Sequence, residues 1–302
     1  MFNSLLVTGA NGFIGRELLT SLSNTCFKVV ACYRHKDKLS KTYVKSDNID
    51  YVKVDIRAPS DFKAIQQDID VVVHLAAEIH SHKNSNNFRE SIESNLLGTY
   101  NLLEFCKNNK VKKLLYMSSK TVYGEPRSNK ITEKHPTTPG GVAFNYGFGK
   151  LAGEMLCDCY TRELGIKLVN LRMSPVYGHS QESWFLIPRI VRQVKNKHKL
   201  QIKGDGTNIM DFLHVYDCVE AILKSIDSDQ VGTFNIGPLS YVTLSEMIDK
   251  IVSIFSDSKS INVVYDSSVP IYKNFFMDIT LARTKLGFKP TIQLVEGLKL
   301  FK

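Results

Sequence analysis

The stretch Leu5-Leu6-Val7-Thr8-Gly9-Ala10-Asn11-Gly12-Phe13-Ile14-Gly15 constrains the fold of this chain more than any other. A short run of β-type residues stops at a glycine, two further glycines follow at three-residue intervals, and an amphipathic segment from Phe13 to Leu22 begins at once. The order is strand, tight turn, helix. Gly9 permits the turn, Gly12 lets a diphosphate approach the backbone with no Cβ in the way, and Gly15 allows close helix–strand packing. The start of the helix presents free N–H groups and a partial positive charge. Such turns are common, so the meaning of this one depends on what surrounds it.

The unit repeats. Lys28–Tyr33, Ile49–Asp55 and Asp70–Leu75 read as strands with helical segments between them, followed by a long amphipathic helix over Phe88–Asn108 and a strand over Lys113–Ser118. A Pro- and Gly-punctuated loop from Gly124 to Val142 leads to a second long helix, Asn145–Leu164, and a strand at Lys167–Leu171. This alternation predicts a doubly wound parallel sheet with right-handed crossovers and ligands at the carboxyl ends of the strands. From Ser174 the segments shorten: a helix near Phe185–Lys195, a turn at Gly204-Asp205-Gly206, a strand near Asp211–Val215, a helix from Tyr216 to Ile226, the segment Thr233–Gly237 and two last helices. The expected division is a dinucleotide-binding domain over 1–173 and a small α/β substrate-binding cap over 174–302, interleaved through parts that rejoin the main sheet, with the substrate pocket between them.

Composition narrows the classes. Of 302 residues, 43% are hydrophobic and 23% charged, and no apolar run approaches the length of a bilayer crossing. The N-terminus enters the first strand directly, leaving no room for a signal peptide, and the chain is expected to be cytoplasmic. Its six cysteines show no C-x-x-C pair and no matching histidine spacing, so free thiols and no metal site are expected. The net charge of +9 gathers at Arg34–Lys41, Lys107–Lys113 and Arg189–Lys203 without the interleaved aromatics of a nucleic-acid platform. It suits a polyanionic small molecule, and neither nucleic acid nor membrane is expected as a partner.

The chemistry gathers at two places. In Tyr146-Gly147-Phe148-Gly149-Lys150 the i, i+4 spacing puts a phenol and an ammonium on one helical face. A phenol titrating at about 10 is a poor base at neutral pH, but a neighbouring lysine ammonium favours the phenolate. Upstream, Met117-Ser118-Ser119-Lys120-Thr121-Val122-Tyr123-Gly124 ends the fifth strand, where hydroxyls border the ligand crevice of a doubly wound sheet.

These stretches, together with Asp55-Ile56-Arg57, His74-Leu75-Ala76-Ala77, Asn95-Leu96-Leu97-Gly98-Thr99, Leu171-Arg172-x-x-x-Val176-Tyr177-Gly178, Gly204-Asp205-Gly206 and Asn235-Ile236-Gly237, carry a resemblance over essentially the whole chain. It resembles the extended short-chain dehydrogenases/reductases of the nucleotide-sugar epimerase/dehydratase family, with a Rossmann-type sheet. The resemblance implies that Ser119, Tyr146 and Lys150 form the catalytic set. Tyr146 would exchange a proton with a sugar hydroxyl, Ser119 would hydrogen-bond the oxygen, and Lys150 would hold the nicotinamide ribose and tune Tyr146. The implied dinucleotide contacts are Gly9, Asn11, Gly12, Phe13, Ile14 and Gly15 at the turn, Asp55 and Ile56 at the adenine, and Leu75, Ala76 and Ala77 along the cofactor. Asn95, Met173, Tyr146 and Lys150 complete them. Glu78, Ser119, Lys120, Thr121, Ser174 and Lys273 are expected at the nucleotide sugar. A homodimer built from the two long helices is implied as well.

The departures from the family pattern add expectations. Members that prefer NAD usually have an acidic residue just after the second strand, where Tyr33-Arg34-His35-Lys36 stands here; Arg34 is therefore expected to meet a 2′-phosphate, with NADP(H) preferred over NAD(H). In the branch that removes water, an Asp-Glu pair follows the residue at Ser119; here Lys120-Thr121 follows, which disfavours a 4,6-dehydratase. Met210 replaces the family's usual arginine before Asp211-Phe212, with Lys273 as a candidate for that charge, and Ser174 replaces the usual asparagine. The expected activity is NAD(P)-dependent oxidoreduction at a sugar carbon, C4, of a nucleoside-diphosphate sugar, as an epimerase or a 4-keto reductase. The alternative is a non-catalytic NAD(P)-sensing or scaffold protein on the same fold, against which the retained Ser119, Tyr146 and Lys150 weigh.

Overall fold

Seven parallel strands organise the computed structural model of this chain, which describes residues 2–36, 43–79, 88–126, 128–197, 199–256, 261–268 and 275–301. They are β1 (Ser4–Thr8), β2 (Lys28–Tyr33), β3 (Ile49–Lys53), β4 (Val71–His74), β5 (Lys113–Ser119), β6 (Lys167–Met173) and β7 (Gly232–Ile236), in the order β7-β6-β5-β4-β1-β2-β3. The order reverses between β1 and β4, and a doubly wound sheet opens its ligand crevice at that reversal. The helices are α1 (Phe13–Leu22), α2 (88–108), α3 (Phe144–Leu164), α4 (Leu186–Lys195), α5 (Val215–Asp227), α6 (Leu244–Phe255) and α7 (Leu294–Lys299).

Strand alternation builds an apolar layer on each face of the sheet. Leu5, Val7, Val71, Val73, Leu115 and Leu171 share one cluster with Leu18 and Leu19 of α1 and Val219 and Ile222 of α5. Leu6, Val72, Leu114, Tyr116 and Leu168 share the other with Leu102 and Cys106 of α2 and Cys157 of α3. A third cluster, with Tyr177, Ile187, Ile190, Ile202, Met247 and Ile251, holds the C-terminal elements together.

The two long helices carry local features that bear on the site. In α2 a π-helical turn, Ile92–Leu97, interrupts the α-helix and buries Ser94 and Asn95. In α3 the buried positions Gly147, Lys150, Glu154, Cys157 and Thr161 recur every three or four residues, so one stripe faces the sheet. Gly153 lies in the same face, and a Cβ there would collide with the Tyr116 hydroxyl; glycine lets α3 lie directly on β5.

Three boundaries differ from the sequence expectations. β3 stops at Lys53, and the Asp55 N–H leaves the sheet to donate to Asp61 Oδ2 at 2.9 Å. The segment expected at Asp211–Val215 keeps only Leu213–His214 as a strand, paired with Val176–Tyr177, because Asp211 turns its carboxylate toward side chains and α5 begins at Val215. The stretch Thr233–Gly237 supplies most of β7, which lies against β6 in the main sheet.

Candidate active site

The turn after β1 has the form its glycines require. Gly9 adopts φ +67°, a conformation that strains any side chain, and a Cβ there would also sit 2.7 Å from the Ala76 nitrogen. Gly12 N donates to Gly9 O at 2.9 Å, and a Cβ on Gly15 would collide with that same carbonyl. No side chain caps α1, and its first turn holds no acidic residue. Free N–H groups, the helix dipole and a surface without Cβ atoms make a cradle that a dinucleotide's pyrophosphate fits. Of the other residues expected here, Asn11 donates to His35 O at 3.3 Å, Ile14 packs into the core beneath, and the Phe13 ring lies against Gly178 instead of the turn.

A directed hydrogen-bond chain supports the loop after β4. Ala76 N donates to Thr8 Oγ1 at 3.2 Å, Thr8 Oγ1 and His74 Nδ1 are 2.7 Å apart, His74 Nε2 and Thr99 Oγ1 are 3.0 Å apart, and Thr99 Oγ1 donates to Asn95 O at 2.8 Å. Because the Thr99 proton is committed to Asn95 O, His74 must carry its hydrogen on Nε2 and accept from Thr8 on Nδ1. Burial, with a smaller contribution from the Lys150 charge, lowers the His74 pKa to about 3 and keeps the ring neutral. Asn95, buried in the π-turn, accepts from Glu78 N at 2.8 Å and donates to Glu78 O at 3.1 Å, so Leu75, Ala76 and Ala77 are held between two fixed points.

Lys150, Tyr146 and Ser119 gather at the carboxyl end of β5. Lys150 is fully buried and donates to Met117 O at 2.6 Å; its Nζ lies 4.9 Å from the Tyr116 ring centre and 5.9 Å from that of Tyr146. Burial lowers the Lys150 ammonium to about 8. Tyr146 is half-buried, and desolvation pushes its phenol above the ordinary value. Ser119 ends β5 and accepts from Thr121 N at 3.2 Å and Thr121 Oγ1 at 3.0 Å, which leaves its own proton to give. Gly147 brings the start of α3 against the Thr121 carbonyl, where a Cβ would stand 2.7 Å away, and this close approach sets Tyr146 next to the Ser119 turn.

Lys120 is tied across the site. It donates to Asp211 Oδ1 at 2.5 Å and to Phe275 O at 2.9 Å, while Asp211 Oδ2 accepts from Ser174 Oγ at 2.8 Å. The sequence reading singled out Lys120 and Ser174 but not the buried carboxylate that joins them; Asp211 stood only inside a motif. It also missed Glu154, one helical turn beyond Lys150, which forms a buried ion pair with Arg172 at 2.7 Å and accepts from Ser118 Oγ. Arg172 Nη1 extends this network to Tyr123 at 3.0 Å, and Tyr123 donates to Asn235 of β7 at 2.7 Å. The missing signal was that a charged residue inside an apolar strand, Arg172 in β6, requires a buried counter-ion.

Where the adenosine is expected, the side chains pair with each other. Asp55 is bidentate to Arg57, 2.9 Å from Nε and 2.5 Å from Nη2, and that hydrogen bond holds its carboxyl below the usual range. Ile56 is buried against Gly98. Arg34, expected to receive a 2′-phosphate, instead donates from Nε to His35 Nε2 at 2.8 Å and lies 3.7 Å from the Glu78 carboxylate. The expected NADP preference therefore finds no support in its geometry. Glu78, expected at the sugar nucleotide, faces Arg34. Met173 is buried at the end of β6, and Lys273 lies outside the described residues. A pocket of about 190 Å³ borders Asp211, the loop Pro238-Leu239-Ser240 and Asp278, but Ser119, Tyr146 and Lys150 do not line it.

The chain is 32% identical to a putative UDP-glucose 4-epimerase of Methanocaldococcus jannaschii, over 98% of this chain and 96% of that protein. It is 28% identical to a trifunctional UDP-glucose 4,6-dehydratase/3,5-epimerase/reductase of Arabidopsis thaliana over 98% of its own length, spanning only 46% of that longer protein. The UDP-glucuronic acid 4-epimerase of Bacillus cereus, solved with UDP-glucuronic acid and NAD, superposes with a TM-score of 0.88 at 31% identity, covering 98% of this chain and 97% of that one. Among the described residues no helix is long and apolar enough to cross a membrane. The family model of the NAD dependent epimerases/dehydratases matches residues 5–237, and on that match, with its near full-length relatives, this chain belongs to the NAD dependent epimerase/dehydratase family.

Proposed function

We propose that this protein is a nucleotide-sugar 4-epimerase that uses NAD. The observation that carries the reading is the set of Tyr146 and Lys150 on one face of α3 against Ser119 at the end of β5, with the next side chain, Lys120, locked to Asp211. In this reading the glycine turn holds the pyrophosphate, Asp55 and Ile56 border the adenine, Leu75–Ala77 run beside the dinucleotide, and Lys150 and Tyr146 stand at its nicotinamide end. The chemistry that end supplies is reversible hydride transfer. Tyr146 takes the proton of the sugar 4-hydroxyl and later returns it. Desolvation opposes the phenolate this needs, and the Lys150 ammonium, 5.9 Å from the ring centre, is the charge placed to favour it. Ser119 donates to the oxygen that becomes carbonyl-like.

Loss of water from C6 needs a group to protonate the departing hydroxyl. After Ser119 stand Lys120, paired with Asp211, and Thr121, whose hydroxyl is given to Ser119, so dehydration is disfavoured. NAD is proposed over NADP on the Arg34 geometry and on the NAD held by the Bacillus cereus relative. The division into a dinucleotide-binding part, 1–173, and a cap, 174–302, belongs to the same proposal, as does recognition of a UDP-sugar.

The test is incubation of the protein with UDP-hexoses and UDP-hexuronic acids in D2O, followed by NMR at sugar C4. Interconversion of C4 epimers with no added reductant and no deuterium at C4 is expected. A 4-keto-6-deoxy product, a requirement for stoichiometric reductant, or no turnover with any sugar would each replace this reading with a dehydratase, a reductase or a binding protein.

A further inference from the structure

Arg34 follows β2 and Glu78 follows β4, and these strands flank β1, so the two side chains stand on either side of the glycine turn at the mouth of the crevice. They meet across it, Nη2 to Oε2 at 3.7 Å, with 38% and 30% of the side chains accessible. Both are held. Asn95 clasps the Glu78 backbone at N and O, and His35 accepts from Arg34 Nε at 2.8 Å, which fixes the tilt of the guanidinium. Asp55 is a second carboxylate within electrostatic reach of Arg34, although its hydrogen bonds go to Arg57.

We propose that Glu78 decides dinucleotide choice in this protein: by pairing with Arg34 across the crevice it cancels the positive charge that a 2′-phosphate requires. The proposal rests on the reading above that the crevice holds a dinucleotide. An arginine after β2 with no counter-ion attracts a 2′-phosphate, but a carboxylate 3.7 Å from the guanidinium sets an opposing charge beside it, and the two contributions offset each other. The neutral 2′-hydroxyl of NAD feels neither charge strongly. The chain thereby obtains, from the loop after β4, the negative charge that the residues after β2 do not supply.

The test is calorimetric titration of the full chain with NAD⁺ and with NADP⁺, read as the ratio of the NADP⁺ to the NAD⁺ dissociation constant. Glu78→Gln keeps the backbone clasp of Asn95 and removes the charge, and the ratio is expected to fall about tenfold, the scale of one charged hydrogen bond. Arg34→Ala in the wild-type background should move the ratio less than about twofold, whereas in the Glu78→Gln background it should restore the wild-type ratio, since coupled residues are non-additive. An unchanged ratio in Glu78→Gln overturns the proposal. So does an Arg34→Ala effect equally large in both backgrounds, and so does a tenfold effect of Arg34→Ala in the wild-type background alone, which, with Arg34 half-exposed, does not depend on how Glu78→Gln folds. Binding of both dinucleotides with an unmoved ratio sinks this proposal alone; binding of neither sinks the dinucleotide reading with it.

Discussion

At the scale of single residues, Tyr146 and Lys150 pull against each other in a useful way. Burial makes the phenol harder to ionise and the ammonium easier to lose, so in the proposed mechanism the pair works only while Lys150 remains charged, that is, below about 8. Tyr146→Phe removes the proposed acid–base group and little else, since no hydrogen bond of the fold uses the phenol oxygen among the described contacts. Turnover in the epimerisation assay should fall at least about 100-fold, with dinucleotide affinity kept; near-normal turnover would take Tyr146 out of the mechanism. Both residues were legible in the sequence because i, i+4 spacing dictates a shared face. Arg34 was equally legible as a residue, but its role was not, because the carboxylate that answers it comes from a strand two positions away in the sheet.

At the scale of elements, α2 and α3 each do two jobs. Their inner faces position Asn95 and the Tyr146–Lys150 pair, while their outer faces leave large apolar side chains in solvent: Phe88, Leu97 and Tyr100 on α2, and Phe144, Phe148 and Met155 on α3. Leu97 is 50% and Met155 66% accessible, more than scattered surface residues on a helix pair packed this closely require. We propose that these faces pair with a second copy to form the implied homodimer. Leu97→Glu combined with Met155→Glu should shift the protein to monomer in analytical ultracentrifugation while circular dichroism stays native, and a wild-type protein that sediments as a monomer at micromolar concentration would refute the dimer. Helix limits came from periodicity, and both helices lie where the pattern placed them. The π-turn at Ile92–Leu97 left no such trace, because one extra residue in a turn is decided by what the helix packs on, here the Asn95 contact with Gly149 and the Glu78 backbone.

At the scale of the whole molecule, two buried histidines link stability to pH. His74 is lowered to about 3 and His214 to about 4, in both cases mainly by burial, and His214 Nε2 has no hydrogen-bond partner among the described residues. Each histidine takes up a proton in the unfolded chain near about 6.5 but resists it in the fold, so their contribution to stability is fully present above that pH and lost as pH falls toward 4. The loss is up to about 1.4 kcal/mol per pH unit for each group. The melting temperature should therefore drop between pH 7 and pH 5, and His214→Asn, which keeps an acceptor for Tyr216 N and cannot take up that proton, should reduce the drop; identical slopes would dismiss the linkage. The sequence by itself determined the strand–turn–helix unit, the parallel sheet and the Tyr146–Lys150 face, because glycine conformations and hydrophobic period act over a few residues. Only the tertiary structure decided that Arg34 answers to Glu78, that Lys120 is spent on Asp211, and that Arg172 finds Glu154. Each of these partners lies 18 to 91 residues away along the chain, and which charges meet depends on strand order and on the desolvation that follows, which no local pattern encodes.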